Sequence, residues 1–285
     1  MPSSWLPAPD LERDASAASF RAPLLMGVVN ATPDSFYPGS RAVSAERAVE
    51  QALRHAEEGA DYLDLGGQST RPGSLAVSVE VELVRVIPVV KALARQTKVP
   101  ISVDTDKARV AAEALDAGAS IINDVTALRG DPGMAKVAAR AERVVLMHMQ
   151  GVSPRTMQSA PRYEDVVSEV ASFFRERLEV FVEAGGDPAK VWVDPGIGFG
   201  KDHGHNLSLL KHVGEFSSIA PVLLGVSRKS FLSRISPDSG PEDRLSGSLA
   251  MAAWAGFSGV SVLRVHDVRD TRRALDALKA VAEAT

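Results

Sequence analysis

Short, nearly unbroken runs of Val, Ile and Leu alternate along the chain with longer, helix-like stretches such as the Ala/Glu/Arg-rich segment 44–58. The short runs are residues 24–30, 62–67, 101–105, 121–125, 144–149, 191–196, 222–227 and 260–266. A strand with one wet face would alternate apolar and polar residues, whereas continuous runs suit parallel strands covered on both faces. Between the runs the spacing predicts helices over 44–58, 79–95, 107–117, 134–140, 163–184, 206–216, 244–257 and 270–284. Gly59, Gly118 and Gly185 stand where three of these should stop, since glycine enters the left-handed conformation that ends a helix at little cost. Pro88 predicts a kink or early break in the second helix. Eight strand–helix units predict an α/β chain folded as a (β/α)8 TIM barrel, a single domain over 23–285, with an open doubly wound sheet as the rival. Residues 1–22 lack this pattern and read as a poorly ordered N-terminal arm.

Composition narrows the class. Of 285 residues 45% are hydrophobic, enough for the core of one large domain. Charged residues make up 24%, which argues against disorder. Lys and Arg number 32 against 36 Asp and Glu, a net charge of −4 that does not suit a large nucleic-acid footprint. No apolar run is long enough to predict a membrane span. The chain has no cysteine, which excludes a disulfide framework, a thiolate nucleophile and Cys-ligated zinc. Residues 1–22 carry Asp10, Glu12 and Asp14 and do not read as a signal peptide, so the expected location is cytoplasmic.

Polar groups recur at or just past the C-terminal ends of all eight runs. They are Asn30; Ser69, Thr70 and Arg71; Asp104; Asn123 and Asp124; His148; Asp194; Ser227, Arg228 and Lys229; and Arg264 with His266. In a barrel those ends converge on the face that carries the active site. Each residue also has an ordinary reading. Asp104 could cap the next helix, Asp194 before Pro195 could start a turn, His148 could be a satisfied core histidine, and Arg264 could be a structural ion-pair partner. As a set, Asp104, Asn123 and Asp194 suit a flat polar heterocycle with adjacent N–H groups. Lys229, Arg264 and His266 suit a phosphate or pyrophosphate. Asn30 is a neutral oxygen donor, enough for Mg²⁺ when substrate phosphates complete its shell.

Other motifs are absent or incomplete. Residues 196–201, Gly-Ile-Gly-Phe-Gly-Lys, look like a phosphate-binding loop, but Pro195 stands where the first glycine belongs and Asp202 follows the lysine. No GxSxG elbow occurs. His203 and His205 form a short histidine tract in which a metal is the minor reading; His203 is expected to be solvated and His205 to order the turn into the next helix.

The polar ends lie within longer motifs. MGVVNATPDSF at 26–36 and DLGGQSTRPG at 64–73 resemble the two signatures of the dihydropteroate synthase family. SVDT at 102–105, IND at 122–124, LMHMQG at 146–151, DPGIGFGK at 194–201, SRKSF at 227–231 and RVHDV at 264–268 follow in the family's order. The resemblance implies a (β/α)8 barrel that condenses 6-hydroxymethyl-7,8-dihydropterin diphosphate with 4-aminobenzoate, giving 7,8-dihydropteroate and pyrophosphate. It implies a pterin site of Asp104, Asn123, Asp194 and Lys229, shaped by Met147, Phe199 and Gly225. It implies a diphosphate site of Asn30, Arg264 and His266 with Mg²⁺ on Asn30, so that Arg264, His266, Lys229 and Asn30 carry catalysis. Thr70, Arg71, Pro72, Phe36 and Ser230 would form the 4-aminobenzoate site, where sulfonamides would compete. A homodimer is also implied.

The chain departs from the family pattern at Pro38, where an Asp is common, at Gln68, where Glu is usual, and at Ala31. The loops over 32–42 and 68–78 read as lids that order over bound diphosphate. Two further readings stand beside the synthase. One is a corrinoid-type pterin-binding methyltransferase, which would not need Lys229, Arg264 and His266 for a diphosphate. The other is a catalytically inactive pterin-binding paralogue.

Overall fold

The computed structural model describes residues 20–31, 40–69, 77–151, 161–235 and 242–284. Among these, strands and helices alternate as β1 (Leu24–Asn30), α1 (Ser40–Glu57), β2 (Tyr62–Gly66), α2 (Val79–Gln96), β3 (Ile101–Asp104), α3 (Ala108–Ala117), β4 (Ile121–Asp124), α4 (Met134–Ala138) and β5 (Arg143–Met147). The series continues with α5 (Val166–Glu183), β6 (Val191–Asp194), α6 (His203–Lys211), β7 (Leu223–Gly225), α7 (Phe231–Ile235), α8 (Leu245–Phe257), β8 (Val262–Val265) and α9 (Val268–Ala282). The sheet runs β6-β5-β4-β3-β2-β1-β8-β7 and every pairing is parallel. Its two edges meet at a parallel bridge between Val193 and Val222, where the Val193 N–H donates to the Pro221 carbonyl at 3.1 Å. That bridge closes the sheet into the expected (β/α)8 barrel.

Period-two alternation divides the apolar residues of the strands into two layers. Leu25, Leu63, Val103, Ile122, Leu146, Val193, Leu224 and Leu263 belong to the main core with the helices. Met26, Ile121, Val145, Trp192, Leu223 and Val262, joined by Tyr62, form a separate buried cluster that fills the barrel's lower interior. Tyr62 and Trp192 meet edge-on across it, 5.1 Å apart. This cluster is the floor of everything above it.

Capping explains several helix boundaries. Ser78 accepts the Val81 N–H at the start of α2. Asp165 accepts from Val167 and Ser168, so α5 begins at Val166 instead of the expected 163. Asp202 and His205 form a reciprocal capping box, which starts α6 at His203 and confirms that His205 orders this turn. The helix expected over 206–216 ends at Lys211 and continues only as a 3₁₀ turn, Val213–Ser218. Gly59, Gly118 and Gly185 follow their helices with positive φ. Pro88 does not break α2, which runs through it to Gln96. Pro88 and Val84 lie on the exposed side, so the carbonyl that loses its N–H partner can face water. The short helix α7 was not visible in the spacing.

Of the expected arm, residues 1–19 lie outside the described residues. Phe20 packs edge-on against Phe257 at 5.2 Å and the Arg21 N–H donates to the Gly256 carbonyl. Most of both expected lid loops, 32–39 and 70–76, also lies outside.

Candidate active site

The functional face is the floor's next storey. Two residues beyond a floor residue, the same pleat face returns to the barrel interior. Tyr62 leads to Asp64, Ile121 to Asn123, Val145 to Met147, Trp192 to Asp194, Leu223 to Gly225 and Val262 to Arg264. The apolar plug therefore fixes which strand residues line the site.

Asp64 is the hub of one side. It is fully buried. Its Oδ1 accepts from Ser102 Oγ at 2.6 Å, and its Oδ2 accepts from Arg264 Nε at 2.6 Å and Asn123 Nδ2 at 3.2 Å. Arg264 reaches on to Asp104 Oδ2 at 3.2 Å. One guanidinium thus joins two carboxylates, as an Arg fork allows. Burial pushes the Asp104 carboxyl up; Arg264 opposes this, while Asp64, Glu82 and Asp106 add to it.

Asp194 and Lys229 form the other side. Asp194 Oδ1 accepts the Gly196 N–H at 2.7 Å. Burial raises its carboxyl against the opposing charge of Lys229. Lys229 Nζ donates to the Ile197 carbonyl at 2.5 Å and stands 4.9 Å from the centre of the Phe199 ring. Desolvation lowers the Lys229 ammonium to about 8, although Asp194 pulls it upward. A Cβ on Gly225 would stand 3.7 Å from Lys229 Nζ and 3.8 Å from Asp194 Oδ2, so the missing side chain keeps this corner open. Met147 packs with Val125, Met149 and Phe199 beside it.

Two contacts cross-brace the last strand ends. Ser227 Oγ accepts the His266 N–H at 3.2 Å and lies 3.2 Å from His266 Nδ1. Arg228 grips Asp267 with both arms of its guanidinium, at 2.8 and 2.7 Å, while its backbone holds a left-handed φ of 56°. The brace joins the residue before Lys229 to the residue after His266. Arg228→Ala is expected to lower kcat/KM about tenfold by loosening both, with a smaller effect on melting temperature. Steady-state kinetics and a thermal melt check this.

Asn30 ends β1 and is exposed, and Ser230 is exposed immediately before α7. No group of three or more acidic, His or Cys residues able to hold a metal occurs among the described residues. A single neutral oxygen from Asn30 fits Mg²⁺ only as a cation shared with substrate phosphates. Phe36, Thr70, Arg71 and Pro72, together with Pro38, lie outside the described residues. Gln68 is described. Its Oε1 accepts the Val77 N–H at 3.1 Å and Lys107 Nζ at 3.0 Å, and Lys107 also pairs with Glu82 at 2.7 Å. A neutral amide here bridges Val77 to the turn after β3 without adding a further carboxylate.

Two polar strand-end residues serve the scaffold. Asp124 accepts from Thr126 N–H, Thr126 Oγ1 and Leu128 N–H, holding a turn in which Ala127 and Leu128 have positive φ. His148 is buried, with Nδ1 2.9 Å from Lys201 Nζ and its ring edge-on to Phe173. The neighbouring His203 is only partly exposed and its Nδ1 is buried, so it is not the solvated residue expected. Asp64 and Asp267 were not singled out from the sequence. The signal for Asp64 was a charge in the middle of a covered strand, which must find a partner.

Residues 26–266 match the model of a family described as "Pterin binding enzyme". The dihydropteroate synthase of Escherichia coli K12 is 47% identical over 264 residues, covering 92% of this chain and 93% of the relative. A structure of the Xanthomonas albilineans dihydropteroate synthase with 4-aminobenzoic acid superposes with a TM-score of 0.85 at 47% identity, covering 92% of this chain and 94% of that one. Another of the same enzyme, with 7,8-dihydropteroate, gives 0.81 at 44% identity, covering 92% and 95%. With its ion-paired site set on the polar ends of eight parallel strands, the chain belongs to the pterin-binding enzymes, as a member of the dihydropteroate synthase family.

Proposed function

We propose that the chain joins 6-hydroxymethyl-7,8-dihydropterin diphosphate to 4-aminobenzoate, the compound held by the Xanthomonas albilineans enzyme. The observation that carries the residue assignment is the set of charges above the apolar floor: the Asp64–Arg264–Asp104 ion pairs on one side, and on the other Lys229, which donates to the Ile197 carbonyl and feels the opposite charge of Asp194. Asp104, Asn123 and Asp194 offer acceptors and an amide to the edge of a flat heterocycle. Lys229, stacked over Phe199, fixes its orientation. Arg264 and His266 donate to the diphosphate oxygens. As the methylene C–O bond breaks, its electron pair leaves with pyrophosphate and these donors stabilise the growing charge. The arylamine nitrogen then forms the new C–N bond and gives up a proton to solvent. No protein nucleophile is required, so this chain's residues act by holding and orienting both partners. Asn30 would hold Mg²⁺, which when bound offsets diphosphate charge. Phe36, Thr70, Arg71, Pro72 and Ser230 would receive the 4-aminobenzoate.

The test is pyrophosphate release by the purified chain with the pterin diphosphate and Mg²⁺. Release that requires 4-aminobenzoate and is blocked by a sulfonamide is the expected result. Pterin binding without release would instead identify an inactive paralogue.

A homodimer belongs to the same reading. Helix α8 contains no charged residue, and its exposed Trp254 and Phe257 are 42% and 46% accessible, with Ser246 and Ala250 on the same stripe. An uncharged face with two large aromatic groups suits a second copy of the chain. Trp254→Glu is expected to halve the mass seen by sedimentation. A variant that sediments like the parent chain would count against α8 as the interface.

A further inference from the structure

We propose that Lys201 is a positioning residue for the reaction, holding the loop after β6 in the one shape that places Phe199 and the Ile197 carbonyl beneath Lys229. The inference rests on the assignment of Lys229 to the pterin site.

Lys201 is 3% exposed and forms no ion pair with a carboxylate among the described residues. Its Nζ instead meets four acceptors, His148 Nδ1 at 2.9 Å and the carbonyls of Phe199, Gly196 and His148 at 2.9, 3.0 and 3.2 Å. Burial drives its pKa well below the usual lysine range, with Asp194 pulling it up and Lys229 pushing it down. An ammonium so enclosed is costly unless every proton is used, and here every proton has an acceptor.

The segment that resembled a phosphate-binding loop therefore has the opposite polarity. In such a loop backbone N–H groups converge on an anion. Here carbonyls converge on a lysine. Gly196, Gly198 and Gly200 have φ of 64°, 84° and 63°, and this left-handed alternation lets the loop wrap the ammonium. The fit is close: a Cβ on Gly196 would lie 2.0 Å from the His148 carbonyl oxygen.

The same loop faces the site with its other surface. The Ile197 carbonyl accepts from Lys229 Nζ and the Phe199 ring lies under that ammonium. Asn206 Oδ1 accepts the Gly198 N–H at 2.7 Å and pins the loop's outer side to α6. Lys201 is thus the inner support of a loop whose outer contacts are two of the groups that hold Lys229.

A double-mutant cycle tests this. Lys201→Met, Lys229→Met and the double variant are compared in kcat/KM for the pterin diphosphate and in KM for 4-aminobenzoate. Lys201→Met is expected to lower kcat/KM for the pterin substrate at least tenfold while KM for 4-aminobenzoate changes less than threefold. The double variant is expected to be no worse than Lys229→Met alone, because both changes remove one function. Losses that multiply would overturn the proposal while leaving the Lys229 assignment intact. Full activity of Lys229→Met alone would overturn both. If Lys201→Met does not fold, Lys201→Gln, which keeps two N–H donors, is carried through the same cycle with the same two outcomes.

Discussion

Lys229→Ala is expected to reduce pyrophosphate release about 10²–10³-fold, the range seen when one preorganised donor is removed from a site of developing charge. The chain should remain folded, because Lys229 is bonded to a loop carbonyl and lies against Phe199 without joining the barrel floor. Its ammonium is held near 8 by desolvation. Activity that depends on the charged form is therefore full below that value and falls as pH rises through it. In Lys229→Arg this alkaline limb should vanish, since a guanidinium does not lose its proton in this range. Parent-like release by the alanine variant would remove Lys229 from the site.

The second large effect belongs to Asp64. Replacing it by Leu leaves Arg264 with Asp104 as its one remaining partner among the described residues and takes the acceptor from Ser102 and Asn123. Breaking one side of a buried charge pair costs about 3–5 kcal/mol. The Asp64→Leu variant should therefore melt well below the parent chain and lose activity. Adding Arg264→Met should recover at most part of the stability, because it removes the half-paired guanidinium but leaves the buried Asp104 without its cation. It should recover none of the activity, because the proposed diphosphate donor is gone as well. Thermal melts and pyrophosphate assays on the three variants separate the two effects.

Much of this site was legible because a closed parallel barrel compels it. Unbroken Val/Ile/Leu runs require two covered faces, and the polar residues that follow them then share one rim. Asn30, Asp104, Asn123, Asp194, Lys229, Arg264 and His266 all occupy the strand ends or the turns just beyond them. What escaped was of two kinds. Asp64 is a buried charge whose partners all lie far along the chain, and Lys201 combines the local carbonyls of Gly196 and Phe199 with the distant His148; periodicity carries no record of such pairing. Pro88 and the start of α5 turned on local solvation and on one capping carboxylate. The lysine after the glycine-rich segment was misleading for a physical reason: glycine spacing permits a tight loop but does not decide whether its N–H or its carbonyl groups point inward.

The Asp64–Arg264 contact spans 200 positions of sequence. Asp64 is laid down on β2, early in the chain, and its counter-ion arrives only on β8. A barrel halted before its last strand docks would hold a desolvated carboxylate without its cation, so charge pairing favours completing the barrel over resting at a partial one. Because the candidate centre draws on residues of β2, β3, β6 and β8 at once, recovery of activity during refolding requires all of these strands to be in place.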